Sequence, residues 1–331
     1  TPAIFLVSRV HDRSTIGGTL DIQGRRGYLG DGNWSIHYRL KLEEGIATSY
    51  MIFGKGIRQP VADFQQTPSL IFNQIADADT HQGALERCVS LCDQVNTTVI
   101  NHPRHVLQTG RDRVSGLLQN IPGVIVPRTL RFRPVSPQEA ISHAAAEGFS
   151  FPYIIRVAGE HHGKSMVRLE SEDDLPLLHA LPFDGRDFYL TEYVDYRGED
   201  GMYHKQRIVV IDGEPVLRHS LYADNWMVHA NARQFMMQRE SWDDDIARFD
   251  RLSREVIPPL QPAISEISDR LQLEYFGIDC SLLPGGEMLV FEANANMNVL
   301  HGPNPEIRYR VEAIEEKLYA LLTRYSGEKV I

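Results

Sequence analysis

Three residues near the C-terminal end carry the most specific chemistry in the chain: Asp279, Glu292 and Asn294, separated by thirteen and then two positions. They fall in two apolar-rich runs, YFGIDCSLL and EMLVFEANA, joined by Pro284-Gly285-Gly286, so the segment reads as a β-hairpin. Strand alternation puts Glu292 and Asn294 on one face, and cross-strand pairing brings Asp279 within reach of the same point. Three oxygen donors that leave coordination positions open suit Mg²⁺ when it also holds nucleotide phosphates. The apolar surroundings predict semi-buried carboxylates, which are costly unless compensated. The plain alternative is a solvated hairpin that happens to carry acids.

Other segments offer complementary parts. The turn AGEHHGKSM, residues 158–166, lies between the strands YIIRV and MVRLE, and its Gly163 and Lys164 can present backbone N–H groups and a charge to phosphate. A bland hairpin loop has the same appearance. The strand end LTEYVD offers backbone groups of Tyr193 and Val194 to a flat heterocycle, with Glu192 and Asp195 placed for amino or hydroxyl groups. Arg113, Arg156, Lys205, Arg207 and Arg218 are the cations available to neutralise phosphate, and Arg156 sits on an apolar strand where an unpaired charge is expensive. Neither the Walker pattern nor the dinucleotide fingerprint occurs. His219 and His229 read as surface or packing residues. Asn296, Asn298 and His301, just past the second strand, can approach a substrate or simply form a polar loop.

The elements that must position these residues alternate along the chain. Residues 1 to about 100 carry the strands AIFLVS, IATSYMIFGK, SLIFNQI and TVIN with one helix at 83–96, which predicts a small α/β lobe with a largely parallel sheet. The stretch 11–36 reads as an exposed loop, and Arg9, Arg13, Arg25, Arg26 and Arg39 as solvated surface or an anion-facing group. DRVSGLLQNI then reads as a helix and VPRTLRF as a strand. Ser136 with Glu139, and Gly148, mark the start and stop of the next helix. From 151 the pattern turns to strands, including a hairpin closed by Asp212-Gly213. A capping box at Ser241 and Asp244 opens a helical region over 242–271, broken near Pro258-Pro259, and an amphipathic helix over about 305–323 closes the chain.

Composition excludes several classes. The chain has 331 residues, 42% hydrophobic and 24% charged, which is ordinary for a globular protein and long enough for two or three lobes. A net charge of −10 repels polyanions and argues against nucleic acid as a partner. No apolar run is long enough to cross a bilayer, and no basic segment precedes the first one, so a soluble, unsecreted, cytoplasmic protein is expected. A first residue of Thr suggests a trimmed or excised chain. Three cysteines make no disulfide framework, and Cys88 and Cys92, four apart, are expected on one helix face as small core residues.

In order and spacing these motifs resemble the ATP-grasp ligase superfamily over about residues 98–325. FPYIIRVAGEHHGKSM resembles its basic strand and phosphate-covering loop, LTEYVD its adenine hinge, YHKQRIVVIDGEPV its Arg-bearing hairpin, and FGIDCSLL with FEANANMN its Mg²⁺ centre. The resemblance implies an α/β (α+β) ATP-grasp fold. It divides the chain into a preceding α/β domain over 1–97, a central subdomain over 98–187 and a metal-bearing subdomain over 188–331. It implies ATP with two Mg²⁺ ions, and a carboxylate substrate activated as an acyl phosphate and captured by an amine, such as an amino acid, peptide or protein. Homodimerisation is left open.

The same resemblance implies that Asp279, Glu292 and Asn294 hold metal, that Arg113, Arg156 and Lys205 meet phosphates, and that Arg207 and Arg218 face the reacting carboxyl group. Gly163 and Lys164 would cover the phosphates, and Glu192 to Asp195 would hold the base. The nearest branches are the ligases that extend peptides or proteins with amino acids and D-alanine-D-alanine ligase. Two departures stand out: Arg113 and Arg156 replace lysines, and Gly277 stands where some members carry Arg. A kinase on the same fold, or a module that binds nucleotide without turnover, is the alternative. An unrelated carbohydrate- or peptide-binding protein would require the Asp279, Glu292 and Asn294 spacing to be chance.

Overall fold

The computed structural model describes the backbone of the strands β1 (Ile4–Arg9), β2 (Thr19–Ile22), β3 (Arg25–Tyr28) and β4 (Ala47–Ile52), and residues 68–326 apart from 161, 162, 164, 230 and 301–304. Within the stretch expected to be a loop, β2 and β3 form an antiparallel hairpin, so that expectation is corrected. Arg25 and Arg26 lie on β3, whereas Arg13 and Arg39 fall outside the described residues.

The first sheet is wholly parallel, in the order β4-β1-β5-β6, where β5 is Leu70–Asn73 and β6 is Thr98–Ile100. Every residue of β5 is buried, as expected of a parallel strand covered on both faces. The helix Gln82–Cys92 packs its small and apolar side, with Ala84, Leu85, Cys88 and Cys92, into the main core. Both cysteines are free, and their position on one buried face matches the four-residue spacing.

The second sheet is antiparallel and has the order β10-β9-β11-β8: Met166–Leu169, Tyr153–Val157, Phe188–Glu192 and Thr129–Phe132. Alternation in β9 buries Tyr153, Ile155 and Val157 in a core of its own and turns Ile154 and Arg156 to the other face. The third sheet runs β13-β12-β14-β15-β7, comprising Glu214–Ala223, Tyr203–Ile211, Tyr275–Leu282, Met288–Ala295 and the short parallel Val124–Ile125. Hydrogen bonding thus ties β11 to the strands before residue 187, and β7 to those after it. Sheet membership crosses the expected division at 187/188 in both directions.

Helix boundaries follow local chemistry. Ser136 accepts from the Glu139 N–H, but the Glu139 carboxylate reaches back to the Val135 N–H, one residue beyond a reciprocal box. Ser241 and Asp244 form the full box that starts Trp242–Arg251. Past Arg251 the backbone makes a π turn over Leu252–Val256 and a 3₁₀ turn at Pro258–Leu260 before Gln261–Leu271, because Pro258 and Pro259 supply no amide hydrogens. No described helix is long and apolar enough to cross a membrane.

Three buried asparagines join the parallel sheet to the third sheet. Asn101 Nδ2 donates to Tyr275 O at 2.6 Å and to Asn296 Oδ1 at 3.0 Å, and its Oδ1 accepts from Tyr275 N–H at 3.0 Å. Asn296 Nδ2 in turn donates to Asn73 O at 2.9 Å, and Asn73 Nδ2 to Asn101 O at 2.8 Å. Truncating one member strands several buried polar groups. Asn101→Ala should therefore lower unfolding free energy by about 2–4 kcal/mol, read from urea unfolding. A loss under about 0.5 kcal/mol would mean the network contributes nothing to stability.

Candidate active-site cleft

A cleft of about 810 Å³ opens between the second and third sheets, and its floor is the last hairpin. Regular pairing from the Leu282–Met288 end would set Asp279 opposite Phe291. A β-bulge instead leaves Phe291 unpaired and puts Asp279 directly across from Glu292, with Gly277 across from Asn294. The bulge brings both carboxylates to one face, and Asn294 lines the same cleft.

Asp279 is fully buried and held by two neighbours on β12. Lys205 Nζ lies 2.6 Å from its Oδ2, while Arg207 donates from Nε to Oδ1 at 2.7 Å and from Nη2 to Oδ2 at 2.9 Å. Burial would raise the Asp279 carboxyl, but Lys205 and Arg207 outweigh it and hold it far below the usual carboxylate range. Burial would likewise raise Glu292. The Arg111 guanidinium outweighs it with help from Lys205 and Arg156, against the opposing push of Asp279, and keeps Glu292 low. Arg111 is paired with Glu292 and also donates to Phe291 O at 2.8 Å.

Arg156 projects from β9 into the cleft. Burial, and then Arg111 beside it, lower its pKa to about 10. One nitrogen donates to Glu160 O at 2.6 Å, but the buried Nε has no partner among the described residues. A desolvated guanidinium with an unused donor is a natural receptor for an anion.

The end of β11 and the two residues after it line the cleft through Glu192, Tyr193 and Val194. Glu192 N–H donates to Arg128 O at 3.0 Å and Tyr193 N–H to Pro152 O at 3.3 Å, whereas Val194 N–H has no partner among the described residues. The Tyr193 ring is covered by Arg168, whose guanidinium lies 4.4 Å from the ring centroid, and meets Trp226 edge-on at 6.1 Å. Gly163 lines the cleft against Met227, and Lys164 lies outside the described residues.

Three expected residues are placed elsewhere. Arg113 is exposed and donates to Leu107 O at 2.7 Å. Two positions along the helix Arg111–Leu117 turn a side chain by about 200°, so Arg111, not Arg113, meets the cleft. Arg218 is the extra residue of a second bulge, which pairs Arg207 with His219 and Ile208 with Leu217. It donates to Val299 O at 2.6 Å, outside the cleft lining, and burial with Arg207, Arg310 and Arg233 brings it to about 10. Asp195 lines a smaller pocket of about 330 Å³ with Arg168 and Arg197.

His219 takes the cleft position beside Arg207 that the bulge removes from Arg218, and His229 lines the cleft too. Burial, then Arg207 and Arg218, push the His219 imidazole well below its usual range, so it is neutral. Asn296 belongs to the buried amide network, Asn298 lines the cleft, and His301 is outside the described residues. Two bulges and one helix phase were the signals that strand alternation could not carry.

Among the described residues no three His, Cys, Asp or Glu side chains cluster as a metal site. The donor set is two carboxylates and an amide, all oxygen, which fits a hard divalent ion that takes its remaining ligands from phosphate and water. Four cations, Arg111, Arg156, Lys205 and Arg207, surround the two carboxylates, leaving an excess of two positive charges to receive an anion.

The fold has solved counterparts. It resembles D-alanyl-alanine synthetase A from Vibrio cholerae O1 biovar eltor with a TM-score of 0.60 at 11% identity, covering 99% of each chain. VanG D-Ala:D-Ser ligase from Enterococcus faecalis gives 0.59 at 12% identity, covering 98% of this chain and 100% of that one. Carboxyaminoimidazole ribonucleotide synthase from Aspergillus clavatus, solved with ATP, gives 0.52 at 12% identity over 95% of this chain and 77% of that one. No family profile and no curated protein sequence matches the chain. The chain has the ATP-grasp fold.

The Asp279 pairing predicts a pH dependence. Its folded pKa lies below the unfolded value of about 3.9, so its stabilisation is complete above about pH 5 and is lost as pH falls through 4 and lower. Asp279→Asn should cost roughly 3–5 kcal/mol at pH 7, and the gap to wild type should narrow toward pH 3 in urea unfolding. A gap that stays constant over that range would exclude this compensation.

Proposed function

We propose that the chain is an ATP-dependent carboxylate-amine ligase, in which an acyl phosphate forms and an amine displaces the phosphate. The observation that carries this reading is the meeting of Asp279, Glu292 and Asn294 with Arg111, Arg156, Lys205 and Arg207 in one cleft whose other end is the hinge at Val194. Asp279, Glu292 and Asn294 would hold Mg²⁺, which supplies charge neutralisation for phosphoryl transfer when bound. The same reading gives Val194 N–H the ring nitrogen of the base, and Arg156 and Arg111 the phosphates.

Phosphoryl transfer needs positioning and charge compensation more than covalent help, so the absence of a nucleophilic Ser or Cys from this reading is no defect. Arg207, fixed by two hydrogen bonds to Asp279, stands at the acyl end of the site. Neutral His219 beside it can accept a hydrogen bond from a substrate. An amino acid or a peptide terminus would supply the carboxylate or the amine.

The reading is tested by thermal unfolding with Mg²⁺ and ADP or ATP, on wild type and Glu292→Gln. At 100 times its dissociation constant a ligand stabilises by about 2.7 kcal/mol, a shift of a few degrees at this size. We expect a Mg²⁺-dependent shift that Glu292→Gln weakens, and ADP release that needs both an acid and an amine. No shift from a folded sample would remove the assignment, and ADP release without an amine would favour a kinase.

A further inference from the structure

The turn at residues 76–81, between β5 and the helix Gln82–Cys92, reaches across one end of the cleft to the loop that follows β9. Asp77 Oδ1 accepts from Asp79 N–H at 2.8 Å and shapes that turn. The Asp79 carboxylate, with 13% of its side chain exposed, then receives donors from three other elements. Gly159 N–H donates to it at 3.1 Å, the Tyr189 hydroxyl from β11 at 2.7 Å, and Arg131 of β8 pairs with it.

The backbone contact is close. Gly159 has φ +73°, and a Cβ there would lie 2.7 Å from Thr80 Cγ2, so both the conformation and the approach require glycine. The next residue, Glu160, gives its carbonyl to Arg156 at 2.6 Å. Asp79 is therefore connected to the cleft-facing guanidinium through the backbone of two consecutive residues, Gly159 and Glu160. Both oxygens of its own carboxylate are engaged by donors from the protein.

We propose that Asp79 is a positioning residue for nucleotide phosphate: it anchors the Gly159–Glu160 backbone and, through the Glu160 carbonyl, sets the Arg156 guanidinium. The ligand in this inference rests on the function proposed above, whereas the anchoring does not. A residue that only stabilised the fold would lower the melting temperature and leave the contribution of Arg156 unchanged.

The test combines amide hydrogen exchange over residues 153–160 with calorimetric titration of MgADP. It compares wild type with Asp79→Ala, Asp79→Glu, Arg156→Ala and the double variant with Ala at both positions. A charge-assisted hydrogen bond of ordinary strength predicts about tenfold faster exchange at Gly159 in Asp79→Ala, about tenfold weaker MgADP binding, and partial recovery in Asp79→Glu. Arg156→Ala should cost clearly less affinity in the Asp79→Ala background than alone. Should Asp79→Ala not fold, Tyr189→Phe removes one donor without altering charge and should raise Gly159 exchange by a smaller factor. Unchanged exchange in a folded variant, or additive affinity losses, would overturn the inference while leaving nucleotide binding standing. A wild type that does not bind MgADP would overturn the nucleotide reading itself and, with it, the role given to Asp79, even if Gly159 exchange responds.

Discussion

A carboxylate with no solvent exposure must be compensated, and Asp279 is compensated by two cations from a single neighbouring strand. That requirement fixes much of the third sheet. Lys205 and Arg207 can both reach Asp279 because they lie two apart on β12 and so share a face, and because β12 pairs with β14 so that Arg207 is opposite Asp279. The hairpin partner then matters as well. A bulge at Phe291 puts Glu292, not Phe291, beside the buried charge, and Arg111 arrives from a separate helix to balance it. Each carboxylate is stable only because its cation is in place. Around the two carboxylates themselves, the four cations Arg111, Arg156, Lys205 and Arg207 leave two positive charges in excess.

The hairpin also has to stand at a fixed height relative to the turn at residues 76–81, which belongs to the first sheet. The three-asparagine network provides that connection, since Asn296 leaves β15 with φ 48° and hydrogen-bonds to both Asn73 and Asn101. A left-handed backbone at a non-glycine residue is uncommon, and asparagine tolerates it better than most. Satisfying the buried amides and turning the chain after the acids are thus one structural event. An apolar contact in the same place would allow sliding between sheets, whereas directed hydrogen bonds do not.

The parallel first sheet, the hairpins at Asp212-Gly213 and Pro284-Gly285-Gly286, and the full capping box at Ser241 were legible in the sequence because each follows from local spacing or a single turn. The hairpin β2–β3 was not, since RRGY and TLDI lack a continuous apolar run. For the site, residue types together with the family resemblance singled out Arg156, Lys205, Arg207, Asp279, Glu292 and Asn294, and all six line the cleft. Strand periodicity failed where an extra residue reverses alternation. At Arg218 the bulge hands the cleft position to His219, and no single residue in LRHSL announces it. Arg111 and Arg113 differ only in helical phase, which depends on where Gly110 begins the helix. Asp79 was invisible for another reason: its partners, Arg131, Gly159 and Tyr189, lie far from it in sequence, and nothing local marks a carboxylate that meets them.

Gly277 shows how packing and charge decide one another. A Cβ at this position would lie 2.6 Å from Met297 Sδ and 2.8 Å from Met297 Cβ, so the methionine occupies the space into which any larger residue would extend. An arginine there would need Met297 to leave a buried cluster that also contains Val299 and Leu300. On the proposed reading, the positive charge at the acyl end then comes from a different strand. Arg207 is suited to it because Asp279 engages Nε and Nη2, while among the described residues Nη1 makes only a long 3.5 Å contact to Asn298 O. On the proposed reading, that third nitrogen is the donor available to a substrate oxygen. The burial that excludes arginine at 277 and the ion pair that orients Arg207 are then two parts of one arrangement.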